Sequence, residues 1–175
     1  MINLHFIFQF FRHPKQVGTL TQSSRSLARK MAEQIDDSAE VVELGAGTGS
    51  VTAEILRRLP DNGRLTCFEI NPEFCKDLEK INDSRLRVIN DDANNCERYV
   101  DGCDCIVSGL PLALFTKPKK ERILAITSKS KRYVQLQYTP LLGKKMKQYF
   151  PEVKRKFVPQ NFPPAFIYVC RNSAG

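Results

Sequence analysis

The chain is poor in the residues that build metal centres and in the long apolar runs that cross membranes. It has only two histidines, His5 and His13, and its six cysteines, Cys67, Cys75, Cys96, Cys103, Cys105 and Cys170, form no CxxC pair. A zinc site needs several Cys or His ligands at workable spacing, which this set does not offer. Cys67 in LTCF and Cys170 in IYVC sit in apolar runs, where a reduced thiol serves as a small hydrophobe. No apolar run approaches the roughly 20 residues that span a bilayer. The opening MINLHFIFQFF lacks a basic leader and a small-residue cleavage site, so a secretory signal is not read there and a cytoplasmic location is expected. Glycines cluster at 45–49, but no lysine follows as in a P-loop. Ser50 stands where a Gly-x-Gly-x-x-Gly dinucleotide turn needs its last glycine.

Acidic charge is also in short supply. With 27 Lys and Arg against 19 Asp and Glu, the net charge is +8. The excess gathers at Lys117-Lys119-Lys120, Lys129-Lys131-Arg132, Lys144-Lys145-Lys147 and Lys154-Arg155-Lys156. Such a surface favours anionic partners, either an acidic membrane or nucleic acid. Each cluster is equally readable as a solvated face.

At 175 residues, 42% of them hydrophobic and 26% charged, the chain has the size and composition of one globular domain. Residues 1–16 form a separate unit ahead of a domain over 17–175. If that unit is helical, Leu4, Ile7, Phe8 and Phe11 share a face widened by Phe6 and Phe10. Arg12 and Lys15 lie behind it, a pattern of interfacial helices. A helix covering the core, or a strand alternating Leu4, Phe6, Phe8 and Phe10, fits the same residues.

Further along, Ser23 or Ser24 can cap a helix to about Ile35. Strands are expected at 40–44, 64–69, 85–89, 103–108, 133–138, over EVKRKFV and at 165–170. Helices are expected at 50–59, 71–80, 93–99 and 117–128, with a helix end at KMKQYF. Strands alternating with helices imply an α/β fold with a mostly parallel sheet. The two closing strands, with no long helix between them, imply one antiparallel member.

The most informative run is VVELGAGTGSVT, residues 41–52: an apolar strand, the acid Glu43, then Gly45, Gly47 and Gly49 at alternate positions before a helix. Glycines let the chain turn tightly and leave no Cβ between backbone and ligand. The run resembles the first motif of class I S-adenosylmethionine-dependent methyltransferases, Glu/Asp-x-Gly-x-Gly-x-Gly. That resemblance implies a Rossmann-like sheet of about seven strands with helices on both faces. It also implies S-adenosyl-L-methionine as cofactor, S-adenosyl-L-homocysteine as product, and no metal. Glu43, Gly45, Ala46, Gly47, Thr48 and Gly49 would then line the cofactor. Other candidates follow the ends of predicted strands, the ligand edge of open α/β sheets. Glu69, followed by Ile70, can accept both ribose hydroxyls. Asp92 and Ala93 stand where the family meets adenine, although Asp91 or Asp92 can equally cap a helix. Gln22 and Ser23 would face the methionine end.

Ser108, Gly109, Leu110 and Pro111 stand where amino-methylating members of the fold carry Asn-Pro-Pro-Tyr-like motifs. There a side-chain oxygen and a backbone carbonyl accept hydrogen bonds from the amine. Ser108 is therefore a candidate acceptor, and Tyr138, at the end of a predicted strand, a candidate base. A plain Gly-Pro turn is the alternative. Leu112 replaces the motif's aromatic residue, which argues against stacking a flat base.

The runs QVGTLTQSSRSLARKMA, VVELGAGTGSVTAEIL, LTCFEINPEF, RVINDDA, VSGLPL and FPPAFIYVCR together resemble the short soluble bacterial phospholipid N-methyltransferases. Gln22 departs from the proline expected there. The resemblance implies methylation of the headgroup amine of phosphatidylethanolamine toward phosphatidylcholine, at the inner face of the cytoplasmic membrane. Phe6, Phe8, Phe10, Phe11, Arg12 and Lys15 would be the membrane contacts, and phospholipid and an anionic membrane surface the partners. An ornithine lipid amine and RNA adenine are the alternative acceptors. The missing aromatic and the missing RNA-binding domain weigh against nucleic acid. A non-catalytic, cofactor-binding membrane-surface protein is the reading from another class.

Overall fold

Val41, Val42 and Leu44 are buried on both faces of a strand, as parallel-sheet strands covered by helices require. This strand, β1 (Glu40–Leu44), is the centre of a computed structural model that describes residues 21–159, 161 and 163–172. Chain order continues with α2 (Ser50–Leu56), β2 (Arg64–Phe68), α3 (Pro72–Glu79), β3 (Leu86–Ile89), a 3-10 turn (Ala93–Arg98), β4 (Cys105–Ser108), α4 (Lys117–Thr127), β5 (Arg132–Gln137), a 3-10 turn (Pro140–Leu142), α5 (Gly143–Met146), β6 (Glu152–Val158) and β7 (Ala165–Arg171). The helix α1 (Thr21–Ala32) precedes them all.

The seven strands form one sheet in the order β3-β2-β1-β4-β5-β7-β6. β1 to β5 pair in parallel, and β7 runs antiparallel to both β5 and β6. The short 159–164 connection dictates that reversal, because a parallel return needs a long crossover. The α/β expectation with one antiparallel strand near the C-terminus therefore holds. Helices cover both faces. Leu27 and Met31 of α1, and Ile35 in the turn after it, pack in one core with Ile55 and Leu78 on one side; the helix ends at Ala32, short of the Ile35 expected. Ile123, Leu124, Met146 and Phe150 pack on the other.

Element ends depart from expectation in small ways. α1 already includes Thr21, so Ser23 and Ser24 lie inside the helix and do not cap it. Asn71 caps α3 as expected, its side chain accepting from the Glu73 N–H at 2.9 Å, with Pro72 at the first turn. Asp92 caps the 3-10 turn in the same way through Asn94. The strand expected at 133–138 is β5, and it is buried from Tyr133 to Gln137 on both faces, its two glutamines included. The expectations over residues 1–16, including the aromatic membrane segment, fall outside the described residues.

Candidate active site

The chain leaves β1 toward β2 and β3, then returns to the other side of β1 as β4. This reversal opens a crevice beyond the carboxyl ends of β1 and β4, the position where open α/β sheets bind ligands. Gly45, Gly47 and Gly49 form its floor with φ of +75°, +56° and +80°. These left-handed values strain any residue with a Cβ. A Cβ at Gly45 would lie 2.8 Å from Leu110 Cδ2, and one at Gly109 would lie 3.0 Å from the Gly45 carbonyl oxygen. The glycine turn and the Ser108–Pro111 loop are thus in direct backbone contact. By contrast, a Cβ at Gly47 would meet nothing within 4 Å, so the turn is open there.

Glu69 reaches over this turn from the end of β2. Its Oε2 accepts the Gly47 N–H and its Oε1 the Asn71 N–H, both at 2.8 Å. Asn90 Nδ2 donates to the Glu69 carbonyl at 2.9 Å and fixes the strand end. Each carboxylate oxygen keeps a second acceptor direction, so two neighbouring hydroxyls can bind without breaking these bonds. Beside it, Ile70 is 67% exposed, an apolar side chain next to the Glu69 carboxylate.

Asp92 and Ala93 stand at the end of β3. Asp92 Oδ1 accepts from the Asn94 N–H and side-chain amide, and Lys119 Nζ donates to Oδ2 at 2.9 Å. Burial pulls this carboxyl up, but the Asn94 and Lys119 hydrogen bonds outweigh it and hold the group below the ordinary range. It is therefore an ionised acceptor. Asp91, its neighbour, is taken up by Asn95 and Tyr99.

At the end of β4, Ser108 is fully buried and its Oγ accepts the Leu110 N–H at 3.3 Å. Two residues of β5 that sequence reasoning passed over hold this loop. Gln135 Nε2 lies 3.3 Å from the Ser108 carbonyl, 2.9 Å from that of Leu110 and 2.6 Å from that of Leu136. Gln137 Nε2 donates to the Leu110 carbonyl at 3.1 Å. The Tyr133 hydroxyl in turn donates to Gln135. The available signal was two glutamines at alternate positions late in a strand, which reads as a wet face. Tyr138 follows on the other face of β5. It is buried, hydrogen-bonds with Asn161, and burial pushes its phenol up to about 12. Tyr138 is accordingly a neutral phenol near pH 7. Gln22 and Ser23 lie in the first turns described for α1, at the start of the described chain.

One edge of the sheet thus carries a glycine turn, the Glu69 carboxylate bonded over it, an ionised Asp92 and a loop held by two glutamines. A family model described as a methyltransferase domain matches residues 41–130, from β1 through α4. An ornithine lipid N-methyltransferase of Singulisphaera acidiphila is 30% identical over 180 residues, covering 95% of this chain and 94% of that protein.

The chain belongs to the S-adenosylmethionine-dependent methyltransferase family.

Solved structures agree on the fold. A precorrin-6y C5,15-methyltransferase of Geobacter metallireducens superposes with a TM-score of 0.66 at 18% identity, over 85% of this chain and 88% of that one. A Burkholderia thailandensis 1,6-didemethyltoxoflavin-N1-methyltransferase, solved with S-adenosylhomocysteine bound, gives 0.70 at 16% identity, over 97% and 87%. The residues of this methyltransferase fit an adenosyl group: an open turn at Gly47, paired acceptor directions on Glu69 and an exposed apolar Ile70.

Beneath the turn of the methyltransferase, Glu43 is buried and accepts from Thr52 Oγ1 at 2.7 Å and Cys67 Sγ at 3.2 Å. Burial raises it from 4.5 to about 7. The Thr52 and Cys67 hydrogen bonds oppose the shift, and the Glu69 charge adds to it. Between those values the folded protein keeps a proton that the unfolded chain has lost. This stabilisation is full below about pH 4.5 and is lost as pH rises through about 7. We expect urea unfolding of the ligand-free enzyme to show stability falling by up to about 3 kcal/mol across that window. Glu43→Gln should flatten the slope; an unchanged slope would remove Glu43 as its source.

The structure also sorts the basic clusters of the methyltransferase. Lys119, Lys129, Lys131, Lys145 and Lys154 pair with Asp92, Glu97, Asp104, Glu121 and Glu152, and Arg132 with Asp36. Among the described residues no helix is long and apolar enough to cross a membrane, and no group of His, Cys, Asp and Glu could hold a metal ion.

Proposed function

We propose that this enzyme is an N-methyltransferase that methylates the headgroup amine of a membrane lipid. An ornithine lipid is the leading acceptor and phosphatidylethanolamine the second. The observation that carries this reading is the relative matched along almost the whole chain, an ornithine lipid N-methyltransferase. It moves the acceptor away from the phosphatidylethanolamine that the sequence motifs alone favour, while keeping a lipid amine.

Glu69 would hold the ribose hydroxyls, Ile70, Asp92 and Ala93 the adenine, and the Gly45–Gly49 turn the remainder of the cofactor. When bound, S-adenosylmethionine supplies an electrophilic methyl group on a sulfonium. The chain's own work is positioning and desolvation, not covalent chemistry. Gln135 and Gln137 both donate to the Leu110 carbonyl, and Ser108 accepts the Leu110 N–H, so the loop is fixed in place as a wall against which the amine would be positioned. A lipid ammonium must lose one proton before its lone pair can attack. The raised phenol of Tyr138 supports a hydrogen-bonding role for that residue and leaves solvent as the proton's destination.

The test is methyl transfer from isotope-labelled S-adenosylmethionine to ornithine lipid, phosphatidylethanolamine or RNA, with the lipids in mixed micelles. Label in the ornithine lipid above the others supports the reading. Label only in RNA, or in none of the three with the cofactor bound, overturns it.

A further inference from the structure

The exposed large side chains of this protein are unevenly placed. Leu141 is 78% and Phe157 56% exposed. β6 runs parallel to β1–β5, because it and β5 are both antiparallel to β7. Phe157, next to last in β6, therefore sits at the same sheet edge as the crevice. Leu141 lies there too, in the turn that follows Tyr138. They also share a face. The Phe157 ring lies 5.1 Å from that of Phe166, whose side chain packs with Leu142 and Met146. α5 continues directly from Leu141 and packs on β6. Basic side chains share these segments: Lys144 and Lys147, three and six residues after Leu141, are exposed, and Arg155 stacks 5.3 Å from the Phe166 ring centre. Glu121 is taken by Lys145 of α5, and Glu152, at the far end of β6, by Lys154.

We propose that this patch, Leu141, Phe157 and Phe166 with Lys144, Lys147 and Arg155, docks on an anionic lipid surface and sets the crevice against the headgroups. Apolar tips flanked by cations match a bilayer interface, where the tips enter the acyl boundary and the cations meet lipid phosphate. A second copy fits poorly. β6 is an edge strand, and Lys154, Arg155 and Lys156 along it would face the same charges on a partner. The inference rests on the lipid reading above and adds which face of the folded domain meets the membrane.

The chain contains no tryptophan, so one introduced indole reports only its own position. Leu141→Trp, Phe157→Trp and Asp101→Trp, the last exposed at the opposite sheet edge, would be made in the full chain. They would be mixed with vesicles of phosphatidylglycerol carrying brominated acyl chains. The expected result is blue-shifted, bromine-quenched emission at 141 and 157 and unchanged emission at 101. Lys144→Gln and Lys147→Gln should each lower vesicle partition about fivefold. Three results would overturn the proposal: equal quenching at 101, silent indoles at 141 and 157 while the protein pellets with vesicles, or no pelleting at all. A blue shift with RNA and none with vesicles would assign the patch to nucleic acid. Methylation in detergent micelles, which need no bilayer docking, separates the two ideas. Turnover there with silent indoles defeats only the docking face, and no turnover on any lipid amine defeats the lipid reading.

Discussion

Glu69→Ala should weaken S-adenosylmethionine binding about a hundredfold in calorimetry. Each hydrogen bond between a carboxylate and a ribose hydroxyl is worth about 1.5–3 kcal/mol, and the substitution removes both. It also strips the Gly47 and Asn71 N–H groups of their acceptor, so the turn loses its tie to β2. Glu69→Gln keeps one oxygen acceptor and should fall in between, near tenfold. Melting curves of the ligand-free variants distinguish a lost contact from a lost fold. An unchanged dissociation constant in a folded Glu69→Ala protein would remove Glu69 from the cofactor site.

The second large effect is expected at Gln135, which touches neither the glycine turn nor Glu69 in any hydrogen bond described. Its amide is the main donor to the carbonyls of the Ser108–Pro111 loop, and its oxygen receives the buried Tyr133 hydroxyl. Gln135→Leu would take one acceptor from that hydroxyl, which keeps Ser108 and Thr127 as partners, and would leave the Leu110 carbonyl with Gln137 alone. Each buried hydrogen bond lost costs about 1 kcal/mol, measurable in urea. The larger consequence is positional. A loop displaced by about 1 Å can lower turnover about a hundredfold. We therefore expect kcat to fall about that far while S-adenosylmethionine affinity changes much less, because Glu69 and Asp92 are untouched. Equal losses in kcat and cofactor affinity would mean that Gln135 supports the whole crevice and not the acceptor side.

These two residues also mark how far the sequence could be read. The position of Glu69 was legible because the acid ends the strand that follows the glycine turn, and the fold brings it onto the Gly47 N–H. The turn itself was legible because three alternating glycines after an apolar strand suit left-handed backbone, which all three adopt. Gln135 and Gln137 were not. Alternation says that two residues share a face but not whether that face is wet, and here the loop carbonyls they bond come from residues 108–110. The carboxylate partners of the charge clusters were not legible either. Lys119 and Lys131 read as solvated or anion-binding, and the acids they pair with, Asp92 and Asp104, lie 27 residues away in sequence and are supplied by the fold. Ser23 looked like a cap because a serine before an apolar stripe resembles one, and the helix begins earlier.

The proposed activity is defined by its methyl acceptor. Lipid mass spectrometry of cells that make both ornithine lipid and phosphatidylethanolamine, before and after expression of the chain, tests it most directly. Ornithine lipid carrying added methyl groups on its amine, absent from cells expressing Glu69→Ala, is the predicted result. A lipid profile unchanged by a folded, S-adenosylmethionine-binding protein would contradict it.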